Sequence, residues 1–419
     1  MIFPYLADLT IDKFVTTIRN RSLFYNVLFI LILGYVMNII VFNTLYYPNR
    51  KGGAERSVQL VCEELASQGE QVSVVSLWDK KSPKNEFLNG VNLFKWSPYN
   101  VYSVHNYCSV KISLFKKVLW QLIDLFNIVM FFRSICFFVS KKPDVIWTNN
   151  LSGFSLSIWV AAFILRIPVC HTVRDYYLLS NNVQLYKDEI LCPGHNIISS
   201  IKVLEFRFLS RWVDAFVGIS DYITSFHKDY SKCLSYSRIY NSVSFNDFVC
   251  KKKKVISKVR VFGYLGQINN AKGIDDLINH FLCNTKNSIL LIAGKDEEGY
   301  ADKYIHDRVC FVGFKNPTEF FEEIDCLIVP SLWDEPFGRI VIESIANMTP
   351  VLCTKRGGLS ELSKIFSSVS LIDFDIKIDY DSIKLMYSAS DGYILKNNFS
   401  SRVITQQYLY LFRKLNCIL

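Results

Sequence analysis

From residue 37 onward the sequence alternates short apolar runs, rich in β-branched residues, with longer stretches of helical periodicity. This alternation restricts the fold more than any other feature. Met37–Thr44 is predicted to be a buried strand, Ala54–Gln68 a helix that ends at Gly69, and Gln71–Leu77 the next strand. Repeated units of this kind imply an α/β fold, with a parallel sheet covered by helices on both faces and wound right-handedly.

The alternation occurs in two blocks, which 419 residues can build as two domains. The run Lys251–Lys254 lies in a stretch without apolar periodicity, which is typical of a linker. The predicted segments are a first domain at 37–245, the linker at 246–258, a second domain at 259–399 and a helical segment at 400–419. The last segment is expected to pack back on the first domain. Two doubly wound units joined in this way place a ligand cleft between the carboxyl ends of their sheets.

Residues 1–36 precede the first predicted strand and are strongly hydrophobic. The uncharged run Leu23–Tyr47 has the length of a membrane span, but its second half overlaps the predicted strand. The remainder, Leu23–Val36, is short for a span. It is interpreted either as an anchor that dips into the membrane or as an extension upstream of a translation start at Met37. A complete span is the third alternative.

Basic residues are concentrated in the first half of the chain. Residues 1–245 contain 25 Lys and Arg against 17 Asp and Glu, whereas residues 246–419 contain 22 against 21. A basic half indicates an anionic partner, such as a phospholipid surface or a diphosphate-linked acceptor. Nucleic acid is not expected, because the basic residues accompany long apolar runs and no nucleic-acid-binding motif is recognisable.

The segment 111–142 is apolar in its centre and basic at both ends. One interpretation is a buried pair of helices of the first domain, and the other is a helix that contacts a membrane with its basic flanks on anionic headgroups. The two interpretations are compatible if they apply to different faces.

The twelve cysteines are scattered and contain no CxxC pair. Cys192–His195 resembles half of a metal site but has no second ligand pair. We therefore predict a reducing compartment, no disulfide bond and no structural zinc.

The most specific motif is the segment Glu335–Glu343, EPFGRIVIE, which follows a predicted strand and delivers Gly338 to the start of a helix. The N-terminus of a helix presents free backbone N–H groups and a partial positive charge, which suit a diphosphate. Glu335 and Glu343 are predicted to accept hydrogen bonds from hydroxyl groups.

A second motif, Gly263–Asp275, places glycines at the end of a strand and Lys272 just before a helix. The glycines allow a ligand to approach the backbone, and the lysine is placed to neutralise a leaving pyrophosphate. A third motif, Asn49–Arg56, contains Gly52 and Gly53 in a tight turn whose amides can reach a phosphate or an acceptor hydroxyl. It matches neither a dinucleotide-binding fingerprint nor a Walker loop, which argues against an oxidoreductase or an NTPase.

The order and spacing of these motifs resemble the family 4 glycosyltransferases of bacterial surface-polysaccharide assembly, from about residue 37 to the C-terminus. Further matching pieces are His171–Asp175, Ile239–Asn241 and Gly357–Glu361. The resemblance implies the GT-B fold, in which two Rossmann-like domains face each other across a cleft. It also implies a nucleotide-sugar donor, retention of anomeric configuration, no metal or other cofactor, and a lipid-linked or oligosaccharide acceptor at the cytoplasmic face of the cell membrane.

The same resemblance assigns roles to individual residues. The implied catalytic residues are Glu335, Lys272 and His171, with His171 beside the reacting sugar. The alternative for His171 is a hydrogen-bonded structural residue at the end of a strand. The implied donor-binding residues are Gly266, Gln267, Lys272, Phe337, Gly338, Arg339, Ile340, Val341 and Glu343. The implied acceptor or phosphate residues are Gly52, Gly53, Arg174 and Asp175. The alternative for Arg174 and Asp175 is an ion pair that only ties a loop.

The chain departs from the family at Gln267, where the family commonly has an arginine that shares the charge of the diphosphate. Arg339 or Arg56 is a candidate to compensate for this loss, and weaker donor binding or an unusual donor are the alternatives. Two other functions remain open. One is a non-catalytic, membrane-associated subunit of a polysaccharide assembly complex, and the other is a sugar-nucleotide epimerase of the same fold.

Overall fold

The computed structural model describes residues 35–49, 52–103, 112–180, 185, 193–194, 197–244, 259–296 and 298–417. The predictions for the hydrophobic N-terminal segment up to residue 34, and for the linker at 246–258, lie outside the described residues.

The first unit is built on an eight-stranded sheet of order β3-β4-β2-β1-β5-β6-β7-β8. Its strands are β1 (Asn38–Phe42), β2 (Gln71–Leu77), β3 (Asn85–Leu88), β4 (Val91–Trp96), β5 (Val145–Thr148), β6 (Val169–Val173), β7 (Ala215–Gly218) and β8 (Tyr236–Arg238). Every pairing is parallel except that of β3 with β4, a hairpin that the alternation did not predict. The predicted parallel α/β architecture is confirmed.

The helices of the first unit follow its strands. They are α1 (Gly53–Ser67), α2 (Leu114–Leu125), α3 (Ile128–Lys141), α4 (Ser157–Ile164), α5 (Ile197–Leu209) and α6 (Asp221–Lys228). A hydrophobic core lies on each face of the sheet, because successive side chains of a strand point to opposite sides and the helices cover both faces.

The second unit is built on a six-stranded parallel sheet of order β11-β10-β9-β12-β13-β14. Its strands are β9 (Val261–Leu265), β10 (Ile289–Ala293), β11 (Val309–Gly313), β12 (Cys326–Val329), β13 (Val351–Thr354) and β14 (Val369–Ile372). Its helices are α7 (Ile274–Cys283), α8 (Tyr300–Lys303), α9 (Pro317–Glu323), α10 (Arg339–Ala346), α11 (Gly358–Ile365) and α12 (Ala389–Phe399). The strand order is that of a Rossmann fold, so the chain contains two Rossmann-like units.

The last helix, α13 (Ser401–Asn416), leaves the second unit and packs on the first sheet. The ring of Trp147 on β5 lies 4.7 Å from that of Tyr408 and 5.7 Å from that of Phe412. Beside these rings, Arg413 forms an ion pair of 2.9 Å with the buried carboxylate of Glu70. The helix therefore completes one face of the first core.

Helices α2 and α3, which form most of segment 111–142, are buried on one side and exposed on the other. Trp120, Met130 and Phe138 are buried against the domain, whereas Phe115 and Phe132 are 75% and 60% exposed. By length and composition alone, Leu114–Lys141 is apolar enough to cross a membrane. Here it is divided into two helices, because the Asn127 side chain accepts a hydrogen bond from the Met130 amide and starts α3 anew.

The two units meet through loops that follow the carboxyl ends of their strands. Tyr176, after β6, donates its hydroxyl to the Asp334 carbonyl oxygen at 2.7 Å. Ser220, after β7, donates to the Pro336 carbonyl oxygen at 2.5 Å. The carboxyl ends of the strands of the two units thus lie on either side of one junction. The ligand site of such folds is found at this position.

Removal of the Phe412 ring tests the contribution of α13. Phe412 is fully buried, so Phe412→Ala is expected to lower the free energy of unfolding by about 3–5 kcal/mol. Tyr410→Ala is the matched control, because Tyr410 lies on the same helix and is 69% exposed. Urea unfolding followed by tryptophan fluorescence measures both variants. Equal stability of the two would contradict the packing of α13 on the first core.

Candidate active site

The start of α10 is shaped by Gly338. This residue has φ = 97°, and a Cβ atom placed on it would lie 2.5 Å from the Leu359 side chain. Only glycine therefore fits between the loop and α11. The amides of Arg339 and Ile340 precede the first intrahelical hydrogen bonds, whereas the Val341 amide donates to the Gly338 carbonyl oxygen at 3.0 Å. The helix start can present two free amides and its partial positive charge to an anion.

Glu335 and Lys272 form an ion pair beside this helix start. The Glu335 Oε1 atom accepts from Lys272 Nζ at 2.6 Å, from Ser331 Oγ at 2.7 Å and from Trp333 Nε1 at 3.0 Å. The two charged side chains are only 13% and 18% exposed. The pair joins the loop after β9 to the loop after β12, so both predicted residues occupy one site.

The loop after β9 is anchored by its backbone. Gly266 donates its amide to the Ala293 carbonyl oxygen at 3.0 Å, and the Gln267 carbonyl oxygen accepts from the Tyr264 hydroxyl at 2.5 Å. The Gln267 side chain is exposed. Lys272 consequently supplies the positive charge of this loop.

Arg339 reaches from the second unit into the first. Its Nε atom lies 2.7 Å from Glu343 Oε1, and its Nη1 atom donates to Ser57 Oγ at 2.6 Å and to the Ser242 carbonyl oxygen at 3.0 Å. A Cβ atom on Gly53 would lie 2.5 Å from Arg339 Cδ. Gly53 therefore makes room for this side chain, which is a packing reason for the second glycine of the pair.

The other candidates of the Gly-Gly segment point elsewhere. The Gly52 amide donates to Glu55 Oε2 at 3.0 Å, within its own turn. Arg56 donates to Gln59 Oε1 at 3.2 Å along α1. Of the two arginines considered as compensation for Gln267, Arg339 lies at the junction of the units.

Arg174 and Asp175 follow β6 and do not pair with each other. Arg174 donates from Nε to Asn149 Oδ1 at 2.9 Å and from Nη1 to Asn241 Oδ1 at 2.5 Å. Burial lowers the pKa of its guanidinium, and nearby Arg339 lowers it further. Asp175 accepts from the Asn150 amide group at 3.0 Å, and burial raises its pKa. Adjacent residues leave a strand on opposite faces, which separates the two charges.

His171 has no exposed surface, which favours the alternative of a structural histidine at a strand end. Its ring packs between Trp159 and Phe216, with centroid distances of 5.1 and 5.6 Å, and its Nδ1 atom lies 2.9 Å from the Thr148 hydroxyl. Burial holds its pKa well below the usual range, so the imidazole is neutral. His171 is thus enclosed in the core, where its Nε2 atom is buried without a hydrogen-bond partner among the described residues.

Phe337 is also placed in a core, because it is 2% exposed and its ring lies 5.8 Å from that of Tyr240. It anchors the loop before α10. The side chain of Val341 is fully buried, and that of Ile340 is partly buried.

Sequence reasoning assigned no role to Glu361, which bridges the units. Its Oε2 atom accepts from the Asp221 amide at 2.8 Å, and its Oε1 atom accepts from the Tyr240 hydroxyl at 2.7 Å. Burial raises the pKa of this carboxyl group. The available signal was its place in Gly357–Glu361, after a strand of the second unit. Asn241 likewise lies in a matching segment, Ile239–Asn241, without an assigned role, and Ser242 directly follows that segment.

These contacts bring the two strongest motifs together with residues of the opposite unit. A helix start, a lysine and two arginines supply positive charge, and two glutamates supply acceptors for hydroxyl groups. The arrangement suits an anionic ligand that carries hydroxyl groups.

Comparison with known proteins identifies the family of the chain. A family model described as Glycosyltransferase Family 4 matches residues 51–244, and one described as Glycosyl transferases group 1 matches residues 247–375. An uncharacterized 42.6 kDa protein of the cps region of Klebsiella pneumoniae is 35% identical over 387 residues, which cover 90% of this chain and 100% of the relative.

Two further likenesses are more distant. The O-antigen chain mannosyltransferase of Salmonella typhimurium is 25% identical over 252 residues, 53% of this chain and 69% of that protein. Anabaena HepE, solved in complex with UDP, superposes with a TM-score of 0.65 at 17% identity, over 90% of this chain and 100% of HepE. The last likeness concerns the fold alone. The two family models match the two units in order, and the chain belongs to the family 4 glycosyltransferases of GT-B fold.

Proposed function

We propose that the protein transfers a sugar, with retention of configuration, from a nucleoside-diphosphate sugar to a saccharide acceptor in the assembly of a bacterial surface polysaccharide. The observation that carries the proposal is the Lys272–Glu335 ion pair beside the free amides of α10. It places a cation, an anion-binding helix start and a hydroxyl acceptor in one site.

In the proposed reaction, the bond between the anomeric carbon and the diphosphate oxygen breaks, and the acceptor oxygen bonds to the same face of the sugar. The proton of the acceptor hydroxyl passes to the departing phosphate. Lys272 and the α10 amides stabilise the negative charge that develops on that phosphate. Glu335 and Glu343 hold hydroxyl groups of the sugar and the ribose, after exchanging their present partners Lys272 and Arg339 for the substrate.

The relatives support the substrate class. HepE is solved with UDP, the Salmonella relative is an O-antigen chain mannosyltransferase, and the Klebsiella relative is encoded in a cps region. From these relatives we infer a nucleotide-sugar donor and a saccharide acceptor for this chain.

We further propose that the protein works at the inner face of the cell membrane on a lipid-linked acceptor. Helices α2 to α5 expose a set of large apolar side chains: Leu114, Phe115, Ile128, Phe132, Val139, Phe163, Ile164, Ile197, Leu204 and Phe208. These helices adjoin, because α3 packs against α4 and α2 against α5. Exposed basic residues border the same surface: Lys116, Lys117, Lys141, Lys142, Arg166, Arg207 and Arg211. Apolar side chains with a basic rim suit an anionic bilayer.

Nucleotide release from UDP-, GDP-, dTDP- and ADP-sugars, with and without a membrane extract that supplies acceptors, tests the activity. Release is expected to need one donor and the extract. Lys272→Ala and Glu335→Ala are each expected to reduce it by about 100-fold or more, since charge stabilisation or substrate positioning is lost. Lys315→Ala is the control, because Lys315 pairs with Glu323 at 2.8 Å within the second unit.

Three results would contradict the proposal. Near-normal release by the Lys272 or Glu335 variant would remove the assigned site. Turnover of the nucleotide sugar without any acceptor would favour an epimerase. Folded wild-type protein that neither binds nor turns over a nucleotide sugar would favour a non-catalytic subunit.

Metal removal tests a separate part of the proposal. Lys272 and the α10 amides are proposed to carry the charge of the leaving group, so treatment with EDTA is expected to change release by less than about twofold. Loss of release on chelation, restored by a divalent cation, would show that a metal carries that charge instead.

Vesicle flotation tests the membrane surface. The full chain is expected to float with vesicles that contain phosphatidylglycerol and less with pure phosphatidylcholine. The double variant Phe115→Glu/Phe132→Glu is expected to bind the anionic vesicles several-fold less, because charges enter the apolar surface. Met386→Glu, which alters a 74% exposed residue of the second unit, serves as the control. Equal binding of both variants would exclude the α2–α5 surface as the contact.

A further inference from the structure

The backbone on both sides of Glu335 is held by the opposite unit. Tyr176, after β6, donates its hydroxyl to the Asp334 carbonyl oxygen at 2.7 Å. Ser220, after β7, donates its hydroxyl to the Pro336 carbonyl oxygen at 2.5 Å. Neither Tyr176 nor Ser220 has exposed surface, and hydrogen bonds are directional, so these two contacts fix the peptide groups that flank Glu335.

The Tyr176 ring also packs against a residue that binds the Glu335 carboxylate. Its centroid lies 5.9 Å from that of the Trp333 ring, and Trp333 Nε1 donates to Glu335 Oε1 at 3.0 Å. Lys272 Nζ lies 4.7 Å from the centroid of the same Trp333 ring. Because buried side chains are closely packed, the position of Trp333, and with it one hydrogen bond to Glu335, depends on Tyr176.

The start of α6 contacts the second unit at a further point. The amide of Asp221, the residue after Ser220, donates to Glu361 Oε2 at 2.8 Å. Glu361 lies in the first turn of α11, and the Gly358 amide at the start of that helix donates to the Glu335 carbonyl oxygen at 2.7 Å. The first unit therefore holds the loop with Glu335 directly and also holds the helix to which this loop is bonded.

The loop with Lys272, by contrast, is fixed within the second unit. The Asn269 side chain accepts from the Lys272 amide at 3.1 Å, and the Leu332 amide donates to the Ala271 carbonyl oxygen at 3.1 Å. The free amides of α10 belong to the second unit as well. The groups assigned to the diphosphate and the carboxylate assigned to the sugar thus differ in their dependence on the first unit.

We propose that Tyr176 and Ser220 are positioning residues, which orient Glu335 toward the donor sugar when the first unit contacts the second. The inference rests on the proposed function and adds a link between the acceptor-side unit and the donor site. Contact between the units fixes the loop with Glu335 for the sugar, whereas the diphosphate binds through groups of the second unit. The site for the sugar is therefore complete only after the two units meet.

Removal of the Tyr176 hydroxyl tests the inference in the full chain. Tyr176→Phe keeps the ring against Trp333 and is expected to lower kcat for sugar transfer about three- to tenfold, the effect of one lost hydrogen bond. Calorimetric titration with UDP, GDP, dTDP and ADP is expected to give a Kd within about twofold of the wild type for the diphosphate that binds. Tyr393→Phe, at a 74% exposed position of the second unit, is the control.

Ser220→Ala tests the second contact against loss of a helix cap. The Ser220 side chain also accepts from the Ile223 amide and so caps α6, as Ser400 caps α13 by accepting from the Val403 amide. Both Ser220→Ala and Ser400→Ala are expected to lower the midpoint of thermal unfolding by a few degrees. Only Ser220→Ala is expected to lower kcat, by about tenfold, while Ser400→Ala stays within about twofold of the wild type.

The outcomes distinguish this inference from the proposed function. If Lys272→Ala abolishes transfer while Tyr176→Phe and Ser220→Ala both keep the wild-type kcat, the positioning role is wrong and the function stands. Equal losses of kcat and of nucleoside diphosphate affinity in both variants would make Tyr176 and Ser220 structural residues and overturn the inference. Wild-type protein that transfers no sugar from any of the four nucleotide-sugar classes would contradict both.

Discussion

The ion pair between Lys272 and Glu335 organises the ligand site of this protein. One carboxylate oxygen takes hydrogen bonds from Lys272, Ser331 and Trp333, and so joins the loops that follow β9 and β12. Both charged side chains are largely buried. In a buried environment the attraction between opposite charges is stronger, but a charge without its partner is unfavourable. A ligand anion that binds Lys272 removes the hydrogen bond from Lys272 to Glu335, so the ligand must itself donate a hydrogen bond to Glu335. A sugar diphosphate has both an anionic group and hydroxyl donors. In the proposed function, the pair therefore favours a ligand that carries both groups.

Charges from the two units converge on this candidate site. The free end of α10 and Lys272 come from the second unit, Arg174 comes from the first, and Arg339 crosses between them. Glu361 adds a carboxylate bridge to the amides at the start of α6. Because the positive groups come from both units, neither unit alone surrounds an anion. Binding of an anion at this site is therefore coupled to the approach of the two units. The basic and apolar surface of α2 to α5 belongs to the first unit, on which the proposed acceptor would bind.

The sequence predicted the two parallel sheets and the two strongest loops, because apolar periodicity and the Gly, Pro and charge patterns are local signals. It did not predict β3, whose side chains are exposed or half-buried, or α12, which has weak periodicity. It did not decide between a cleft position and a structural position for His171. The register of a strand determines which face each side chain occupies, and that register is set by packing. Arg174, which the resemblance implied as an acceptor or phosphate residue, lies on the other face. The contacts of Arg339 with Ser57 and Ser242 depend on how the units meet, which no local pattern encodes.

A crystal structure of the full chain with a bound nucleoside diphosphate tests the central claim most directly. The account predicts density for the diphosphate at the amides of Arg339 and Ile340, with Lys272 Nζ moved from Glu335 to a phosphate oxygen. A nucleotide bound elsewhere, for example in the groove between α7 and residues 373–378, with the Lys272–Glu335 pair intact, would contradict it.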